Sequence, residues 1–96
     1  MLTIIDGDFE WDWEKAAQNH IKHGISFEEA QSAFADPSAI LLDDGSQSAT
    51  LWLIGMSARA RVLVVVHVER GERVRIISAR GANRNERELY GQGGRP

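Results

Sequence analysis

The stretch that decides the fold is residues 62–80, which read VLVVVHVERGERVRIISAR. Two runs rich in β-branched residues, 62–68 and 74–80, flank Arg70-Gly71. Branched side chains favour extended backbone, and a glycine between two such runs is typical of a tight hairpin. The segment therefore predicts two antiparallel strands of one sheet.

Further strand signals precede this hairpin. Residues 51–56 read LWLIGM, and a small polar loop around Ser57-Ala58-Arg59 joins them to the run that begins at residue 62. A shorter apolar run at residues 39–42 ends in a turn cluster at residues 43–46. Residues 9–12, FEWD, are typical of an edge strand. Together these runs predict a small antiparallel sheet.

Helix signals lie on both sides of the main strands. Residues 13–23 are rich in good helix formers, and Gly24 stands where a C-terminal cap belongs. Ser26 begins a second helix, with Glu29 at the spacing of a capping box, and Asn83 begins a third in the same way. The predicted fold class is therefore α+β, a small antiparallel sheet with two N-terminal helices and one C-terminal helix.

The length predicts one domain, because ninety-six residues leave no room for a second core. We expect a single domain over residues 1–90 and a flexible, glycine-rich tail at residues 91–96. The sequence has no cysteine, which excludes disulfides, thiolate metal sites and cysteine nucleophiles. It begins without the pattern of a signal peptide, and its longest apolar run, 62–66, is far too short to cross a membrane. We therefore expect a cytoplasmic protein.

Charge is divided unevenly along the chain. Residues 1–48 carry ten acidic side chains and two lysines, a net charge of −8, whereas residues 49–96 carry nine arginines and four glutamates, a net charge of +5. Such asymmetry predicts a nucleic-acid surface or a charged protein partner. The basic half contains no lysine, and the planar guanidinium of arginine suits bidentate contact with phosphate. Phosphate is therefore the first ligand class to test.

Lys22 and His23, at the end of the first predicted helix, are the first candidates for chemistry. A lysine can hold a phosphate, and histidine is the residue type that most readily carries protons near neutral pH. Both cations also complement the dipole at a helix C-terminus, so a purely structural role fits them as well.

The second candidate is the junction between strand and helix at residues 76–84. Free amide groups at the start of the third helix, with Arg80 and Arg84 nearby, would bind an anion. Because side chains alternate along a strand, we expect Ser78 and Arg80 to share one face of the sheet and Arg75 to lie on the other. The alternative is an arginine-rich face that only meets solvent.

The third candidate is the pair Arg59 and Arg61, which flank a hairpin loop. Loop tips also carry charge that serves solubility alone, so this pair has a second interpretation. The histidines His20, His23 and His67 have no carboxylate at a matching spacing, and we predict neither a metal site nor a cofactor. The tryptophans are expected to pack in the core and at its edges.

Taken together, these segments resemble one family. The N-terminal part resembles the signature of BrnT toxins in FEWD at residues 9–12, Lys15-Ala16, Asn19, KHGISFEEA at residues 22–30, Phe34 and Asp36-Pro37. The C-terminal part matches in Ile54-Gly55, Ser57, RVLVVV at residues 61–66, ERG at residues 69–71, RIISAR at residues 75–80, Ala82, Arg84, Glu86-Arg87 and Tyr90. The resemblance covers about residues 8–90.

The resemblance implies a toxin of a type II toxin–antitoxin system with a RelE-like fold. The family consists of endoribonucleases that arrest growth by cutting RNA, and we expect the reaction to need no metal. The implied partner is a BrnA-like antitoxin with a ribbon-helix-helix DNA-binding domain, which neutralises the toxin. The complex represses its own operon, so the toxin would meet operator DNA only through the antitoxin.

Metal-free RNA cleavage needs a base for the attacking 2′-hydroxyl, an acid for the leaving 5′-oxygen and cations for the charge that builds on phosphorus. Lys22 and Arg80 are expected to stabilise that charge. Arg59 or Arg61 would assist from the loop. His23 would carry the proton, with Lys22 in reserve. The residues expected to bind the RNA are Arg61, Ser78, Arg84 and Tyr90.

A second function stays open, that of a catalytically inactive, toxin-like binding module that acts as corepressor with its antitoxin. The two functions differ in whether Lys22, Arg59 and Arg80 converge on one cleft. Met56 stands where relatives often carry a polar or basic side chain, so one phosphate contact is missing from the pattern. A stand-alone DNA-binding regulator fits less well, because no helix-turn-helix with a basic second helix is evident.

The acidic N-terminal half is unusual for an RNA-binding protein, since phosphate attraction dominates nucleic-acid affinity. We expect this half, with Glu28 and Glu29, to face a basic protein partner and to leave the arginine-rich face for RNA.

Overall fold

The predicted hairpin forms from β5 (Val62–Arg70) and β6 (Arg73–Gly81). Gly71 lies in its turn at a φ of 63°, a backbone conformation that residues with a side chain rarely adopt. The other strands are β1 (Thr3–Asp6), β2 (Phe9–Asp12), β3 (Ile40–Asp43) and β4 (Leu51–Met56). The helices are α1 (Trp13–His23), α2 (Phe27–Ser32), which continues as a 3₁₀ turn (Ala33–Ala35), and α3 (Arg84–Gly91).

The structure is a computed structural model that describes residues 2–43, 45–46 and 48–93. It has a six-stranded sheet in the order β1-β2-β6-β5-β4-β3. The sheet is mixed, because β2 runs parallel to β6, with Phe9 opposite Val74 and Glu10 opposite Arg75. The prediction of an antiparallel sheet was wrong at this pair. Consecutive strands leave hairpin signals in the sequence, whereas β2 and β6 are far apart along the chain and leave none.

β2 also lies inside the sheet rather than at its edge. β1 pairs with it in antiparallel fashion, from Thr3 opposite Asp12 to Asp6 opposite Phe9. β1 was not predicted, because a strand of four residues is too short to show a clear pattern. The predicted edge strand is therefore an interior strand.

Different helices cover the two faces of the sheet. α1 and α2 pack on one side, which we call the α1/α2 face, and α3 packs on the other, the α3 face. The buried side chains of the first are Trp11, Ile25, Phe27, Ala30, Ala33, Leu53, Leu63, Val65, Ile76 and Ala79. On the α3 face, Ile54, Val64 and Ala82 are buried, with Leu89 and Tyr90 packed against them. Burial of each large apolar side chain stabilises the fold by about 1.5–3 kcal/mol.

The helix ends follow most of the predicted caps. Gly24 adopts a left-handed conformation and donates a hydrogen bond from its N–H to His20 O at 2.9 Å. Asn83 and Glu86 form a reciprocal capping box at the start of α3. Ser26 caps α2 as predicted, but the glutamate expected to complete the box there binds an arginine instead.

The C-terminal helix extends one residue into the predicted tail. Gly91 is the last residue of α3, and Gln92 and Gly93 form a turn. Residues 94–96 lie outside the described residues, so the single domain with a flexible tail stays a prediction. None of the helices in the described part of the chain combines the length and the apolar character needed to cross a membrane.

Candidate active site

Asn19 of α1 takes the place of a strand partner beside β6. Its side-chain amide accepts a hydrogen bond from Ala79 N at 3.0 Å and donates one to Ala79 O at 2.8 Å. The same amide donates to Ile25 O at 2.9 Å, just beyond the helix. Asn19 is buried, and a buried amide is stable only when its donors and acceptors are satisfied. These bonds therefore fix α1 against the edge of β6.

A groove of about 200 Å³ lies between α1 and β6. We call it the β6 groove, and its lining residues are Lys15, Gln18, Asn19, Lys22, His23, Ile77 and Ser78. Lys15 and Lys22 are seven positions apart, which places both on one side of the helix. The structure thus brings together three of the predicted site residues: Lys22, His23 and Ser78.

A β-bulge interrupts the pairing of β5 with β6. The ladder passes from the pair Val66–Ser78 to the pair His67–Ile76 and skips Ile77. A bulge places two residues of one strand opposite one residue of its partner, so strict alternation of side chains fails there. Ile77 is the extra residue, and it lines the β6 groove.

The bulge changes the face on which one arginine lies. Ser78 and Arg80 share the α3 face as predicted, but Arg75 lies on that face as well, because it pairs with Val68 of β5. The prediction that Arg75 would lie on the opposite face was wrong, since it assumed an uninterrupted alternation. Its guanidinium pairs with Glu10 of β2 at 2.6 Å.

Arg80 forms a bidentate ion pair on the α3 face. Its guanidinium donates to the two carboxylate oxygens of Glu86 at 2.7 and 2.8 Å and to Gly81 O at 3.3 Å. It also lies over the ring of Trp52, 5.7 Å from the ring centre. The Glu86 carboxylate raises the pKa of Arg80, and the guanidinium in turn holds the pKa of Glu86 below its ordinary value. Two of the five N–H groups of the Arg80 guanidinium have no partner among the described residues and would be available to a phosphate.

Arg61 has a structural role in the loop between β4 and β5. It forms an ion pair with the buried carboxylate of Glu29, with Nε donating at 2.9 Å, and it donates to Gly24 O at 3.3 Å. Ser57 Oγ donates to the same carboxylate at 2.7 Å. These bonds, the one from Arg61 first, hold the pKa of Glu29 below its ordinary value. Arg61 thus joins the loop to α2 and to the end of α1. Glu29 is therefore not part of a surface that a partner could contact.

We expect Glu29→Gln to lower the free energy of unfolding by about 1–2 kcal/mol at pH 7, because the buried charge-assisted hydrogen bonds are lost. The ordinary pKa of this carboxyl is 4.5 and its folded pKa lies lower, so its stabilisation is present above that pH and is lost as the pH falls through the folded pKa. The variant should therefore lose less stability than the wild type between pH 7 and pH 3.

Urea unfolding at the two pH values measures this effect. Glu28→Gln is the matched control, because Glu28 is the exposed neighbour of Glu29 on the same helix. The pKa values of Asp36 and Glu86 are also lowered, so Glu29→Gln should retain part of the loss of stability at low pH. An equal loss of stability in the wild type and in Glu29→Gln would show that the ionised carboxylate contributes nothing.

Arg59 lies at the exposed tip of the same loop. The backbone N–H of Arg59 donates to Ser57 Oγ at 3.2 Å, and the next residue, Ala60, has a φ of 60°. No hydrogen bond or ion pair of the Arg59 side chain is found within the described part of the chain. Its positive charge is the smallest of the causes that lower the pKa of Glu29. Arg59 is an exposed cation on the loop between β4 and β5, and it does not line the β6 groove.

The two predicted RNA-binding residues of α3 lie away from the β6 groove. Arg84 is 86% exposed and pairs with Glu88 at 3.3 Å. The Tyr90 hydroxyl donates to Asp36 at 2.6 Å, which raises the pKa of Tyr90. Asp36 also accepts from Met56 N at 2.8 Å, and the Met56 side chain is exposed. Asp36, Met56 and Tyr90 line a pocket of about 400 Å³ at this end of the molecule.

Lys22, Arg59 and Arg80 therefore do not all line one cavity. Lys22 lines the β6 groove. Arg80 does not line it, but Arg80 is two residues from Ser78, which lines the β6 groove at the edge of the sheet. Four groove residues were absent from the predicted site: Lys15, Gln18, Asn19 and Ile77. Lys15 could have been found from its helical spacing to Lys22, whereas the contact of Asn19 with β6 had no local signal. Among the residues that the structure describes, no three His, Cys, Asp or Glu side chains are placed to hold a metal ion.

The comparisons with known proteins point to one family. A family model described as the ribonuclease toxin BrnT of type II toxin–antitoxin systems matches residues 11–86. The crystal structure of the Brucella abortus ribonuclease toxin BrnT is similar to this chain, with a TM-score of 0.63 and 25% sequence identity. That alignment covers 77% of this chain and 94% of the Brucella chain. No curated protein matches the sequence. Because the family match spans well over half of its length, the chain belongs to the BrnT family of ribonuclease toxins of type II toxin–antitoxin systems.

Proposed function

We propose that the chain is the RNA-cleaving toxin of a type II toxin–antitoxin pair and that it cuts RNA at the β6 groove. The observation that carries this proposal is that Lys22, His23 and Ser78 line one groove in a member of a ribonuclease toxin family. Lysine supplies a cation that stabilises charge or donates a proton, and histidine supplies a proton carrier, so the two side chains together offer the base, the acid and the cation that the reaction needs.

The chemistry proposed for the groove is transfer within the RNA chain. The 2′-hydroxyl gives its proton to a base and attacks the adjacent phosphorus, and the bond from phosphorus to the 5′-oxygen breaks as that oxygen takes a proton from an acid. The products are a 2′,3′-cyclic phosphate and a 5′-hydroxyl. His23 would take the first proton, and Lys22 would stabilise the charge on the phosphoryl oxygens or supply the second proton. Side chains provide every group required, which supports a metal-independent reaction.

RNA would cross the edge of β6, from the groove to the α3 face. Ser78 lines the groove, and its register opposite Val66 places its side chain on the face that carries Arg80. Arg80 would contact the RNA backbone with its two remaining N–H groups or exchange Glu86 for a phosphate.

Arg61 would act by holding the loop that presents Arg59. Arg84 and Tyr90 would contact RNA that extends along α3, where their exposure permits it.

The partner that we infer is a BrnA-like antitoxin with a ribbon-helix-helix domain, since a type II system supplies a protein antitoxin. Operator DNA would be bound through that domain, and the complex would reside in the cytoplasm. The arrangement of N-terminal helices on one face of the sheet and a C-terminal helix on the other supports a RelE-like fold.

Purified protein is expected to cut a fluorescent single-stranded RNA oligonucleotide equally well with and without EDTA. The products should carry a 2′,3′-cyclic phosphate and a 5′-hydroxyl, because the attacking group belongs to the RNA. The matched control is the same oligonucleotide with a 2′-deoxyribose at the cleaved position, which should resist cutting. Cleavage that stops with EDTA would refute the metal-independent reaction.

Two observations support the corepressor function. The first is that Lys22, Arg59 and Arg80 do not all line one cavity, and the second concerns the arginines. Arg61 and Arg80, two of the predicted cations, are already paired with Glu29 and Glu86. Paired arginines attract phosphate less strongly than free ones. Intact RNA after incubation with a demonstrably folded protein, together with operator binding that requires both proteins, would favour this second function over the first.

A further inference from the structure

A second side of α1 exposes apolar residues. Ile21 is 88% exposed and Trp13 is 54% exposed. Trp13, Ala17 and Ile21 are spaced four residues apart, so they form one stripe along the helix, about 12 Å long at 1.5 Å per residue. Contiguous exposed apolar side chains mark contact surfaces more often than isolated ones do. The stripe therefore needs an explanation that the candidate active site does not supply.

The stripe lines the larger of two adjoining grooves. This groove, of about 430 Å³, we call the Ile21 groove, and it is lined by Trp13, Ala17 and Ile21 together with Ile4, Phe27 and Glu28. The second groove, of about 410 Å³, is lined by Phe9 and Phe34 and by the acidic residues Asp6 and Glu28. Glu28 lines both, so the two grooves adjoin at this residue.

The acidic side chains that line these grooves are Glu28 and Asp6, and His20 also lines the Ile21 groove. Both grooves are built from residues 1–48, which carry ten acids and two lysines, and those two lysines line the β6 groove instead. An apolar surface with carboxylates at its margin complements a segment that has apolar side chains on one side and basic ones beside them. RNA is disfavoured, because its phosphates would meet Glu28 and Asp6.

We propose that the Ile21 groove and its neighbour dock a basic amphipathic helix of the antitoxin, an inference that rests on the proposed function for the existence of that partner. The apolar side chains of such a helix recur at three or four residues and pack on the Trp13–Ile21 stripe. A lysine or arginine of the helix pairs with Glu28. A second copy of this chain fits poorly, because an isologous contact would bring the two acidic surfaces together.

The docked helix lies across α1 from the candidate active site. Lys15 and Lys22 line the β6 groove on one side of α1, and Trp13 and Ile21 line the Ile21 groove on the other. Changes in the Ile21 groove therefore affect antitoxin binding without touching the residues proposed to cut RNA. This separation makes the proposal testable apart from catalysis.

The test is the affinity of the purified cognate antitoxin for variants of the toxin, measured by isothermal titration calorimetry. We expect Ile21→Lys to raise the dissociation constant by about 30-fold or more and Glu28→Lys by about 10-fold. Leu41→Lys is the matched control, because Leu41 is also apolar and 56% exposed but lies on the edge strand β3. It should change affinity by less than about twofold, since it lies outside the interface. RNA cleavage by the free variants should not fall below that of the wild type, because the changes leave the β6 groove intact and add positive charge.

The outcomes separate the docking surface from the ribonuclease function. If Ile21→Lys and Glu28→Lys bind the antitoxin as the wild type does, the proposed surface is wrong even where RNA is cut. If Ile21→Lys instead abolishes a dimer of the free toxin and leaves antitoxin affinity unchanged, the groove joins two copies and the proposal also fails. If the variants lose affinity while the wild type leaves RNA intact, the docking surface stands and the ribonuclease function fails.

Discussion

Lys22→Ala is expected to lower the rate of RNA cleavage by about 100-fold or more, with the stability of the protein unchanged. Lys22 is exposed in the β6 groove, so its removal leaves no cavity in the core. Its ammonium group is the cation placed to stabilise charge on the phosphoryl oxygens, and loss of one such group costs about 100- to 1,000-fold in other enzymes. Single-turnover cleavage of an RNA oligonucleotide, beside thermal unfolding of the same sample, measures both quantities.

The control for this experiment must remove the same charge elsewhere. Arg73→Ala does so at the far end of β6, where the side chain is exposed. It should lower cleavage only slightly, through weaker long-range attraction of RNA. Lys22→Arg keeps a cation in the groove and should retain more activity than Lys22→Ala. Full activity of Lys22→Ala would show that the β6 groove is not the catalytic site.

Asn19→Ala is expected to lower the free energy of unfolding by about 3–5 kcal/mol, because the variant would leave Ala79 N, Ala79 O and Ile25 O without partners. Each orphaned buried group costs about 1–3 kcal/mol, and a domain of this size has only about 5–15 kcal/mol in total. The expected loss is therefore a large fraction of the stability. Urea unfolding followed by tryptophan fluorescence measures it.

Gln18→Ala is the matched control, since Gln18 is the exposed neighbour of Asn19 on α1. Its effect should stay within about 0.5 kcal/mol. A loss below about 1 kcal/mol in Asn19→Ala would mean that water satisfies the exposed backbone groups of β6 and that other contacts hold α1 in place.

Local sequence patterns predicted the elements that depend on local chemistry. The hairpin at Gly71, the cap at Gly24 and the capping box from Asn83 to Glu86 all rest on neighbouring residues, and all three form. The parallel pairing of β2 with β6 depends on contacts between distant segments, and no periodicity within either strand reveals it.

The candidate site was predictable to the same degree. Lys22 and His23 were identified from residue type and position at a helix end, and the structure places them in one groove. The ion pair of Glu29 with Arg61 could not be foreseen, because the capping-box spacing assigned that carboxylate to Ser26. Similarly, the position of Arg80 over Trp52 requires three neighbouring strands, β6, β5 and β4, in their correct register.

The bulge at Ile77 gives the two strands of the central hairpin unequal tolerance to changes in length during evolution. β6 holds one residue more than its ladder requires, so the loss of a single residue near position 77 can be absorbed by straightening the strand, with inward and outward sides preserved. β5 alternates without interruption and has no such reserve. One residue lost between Val62 and Val68 would exchange the side chains that β5 packs into the cores on the two faces of the sheet, so insertions and deletions among relatives should concentrate in β6.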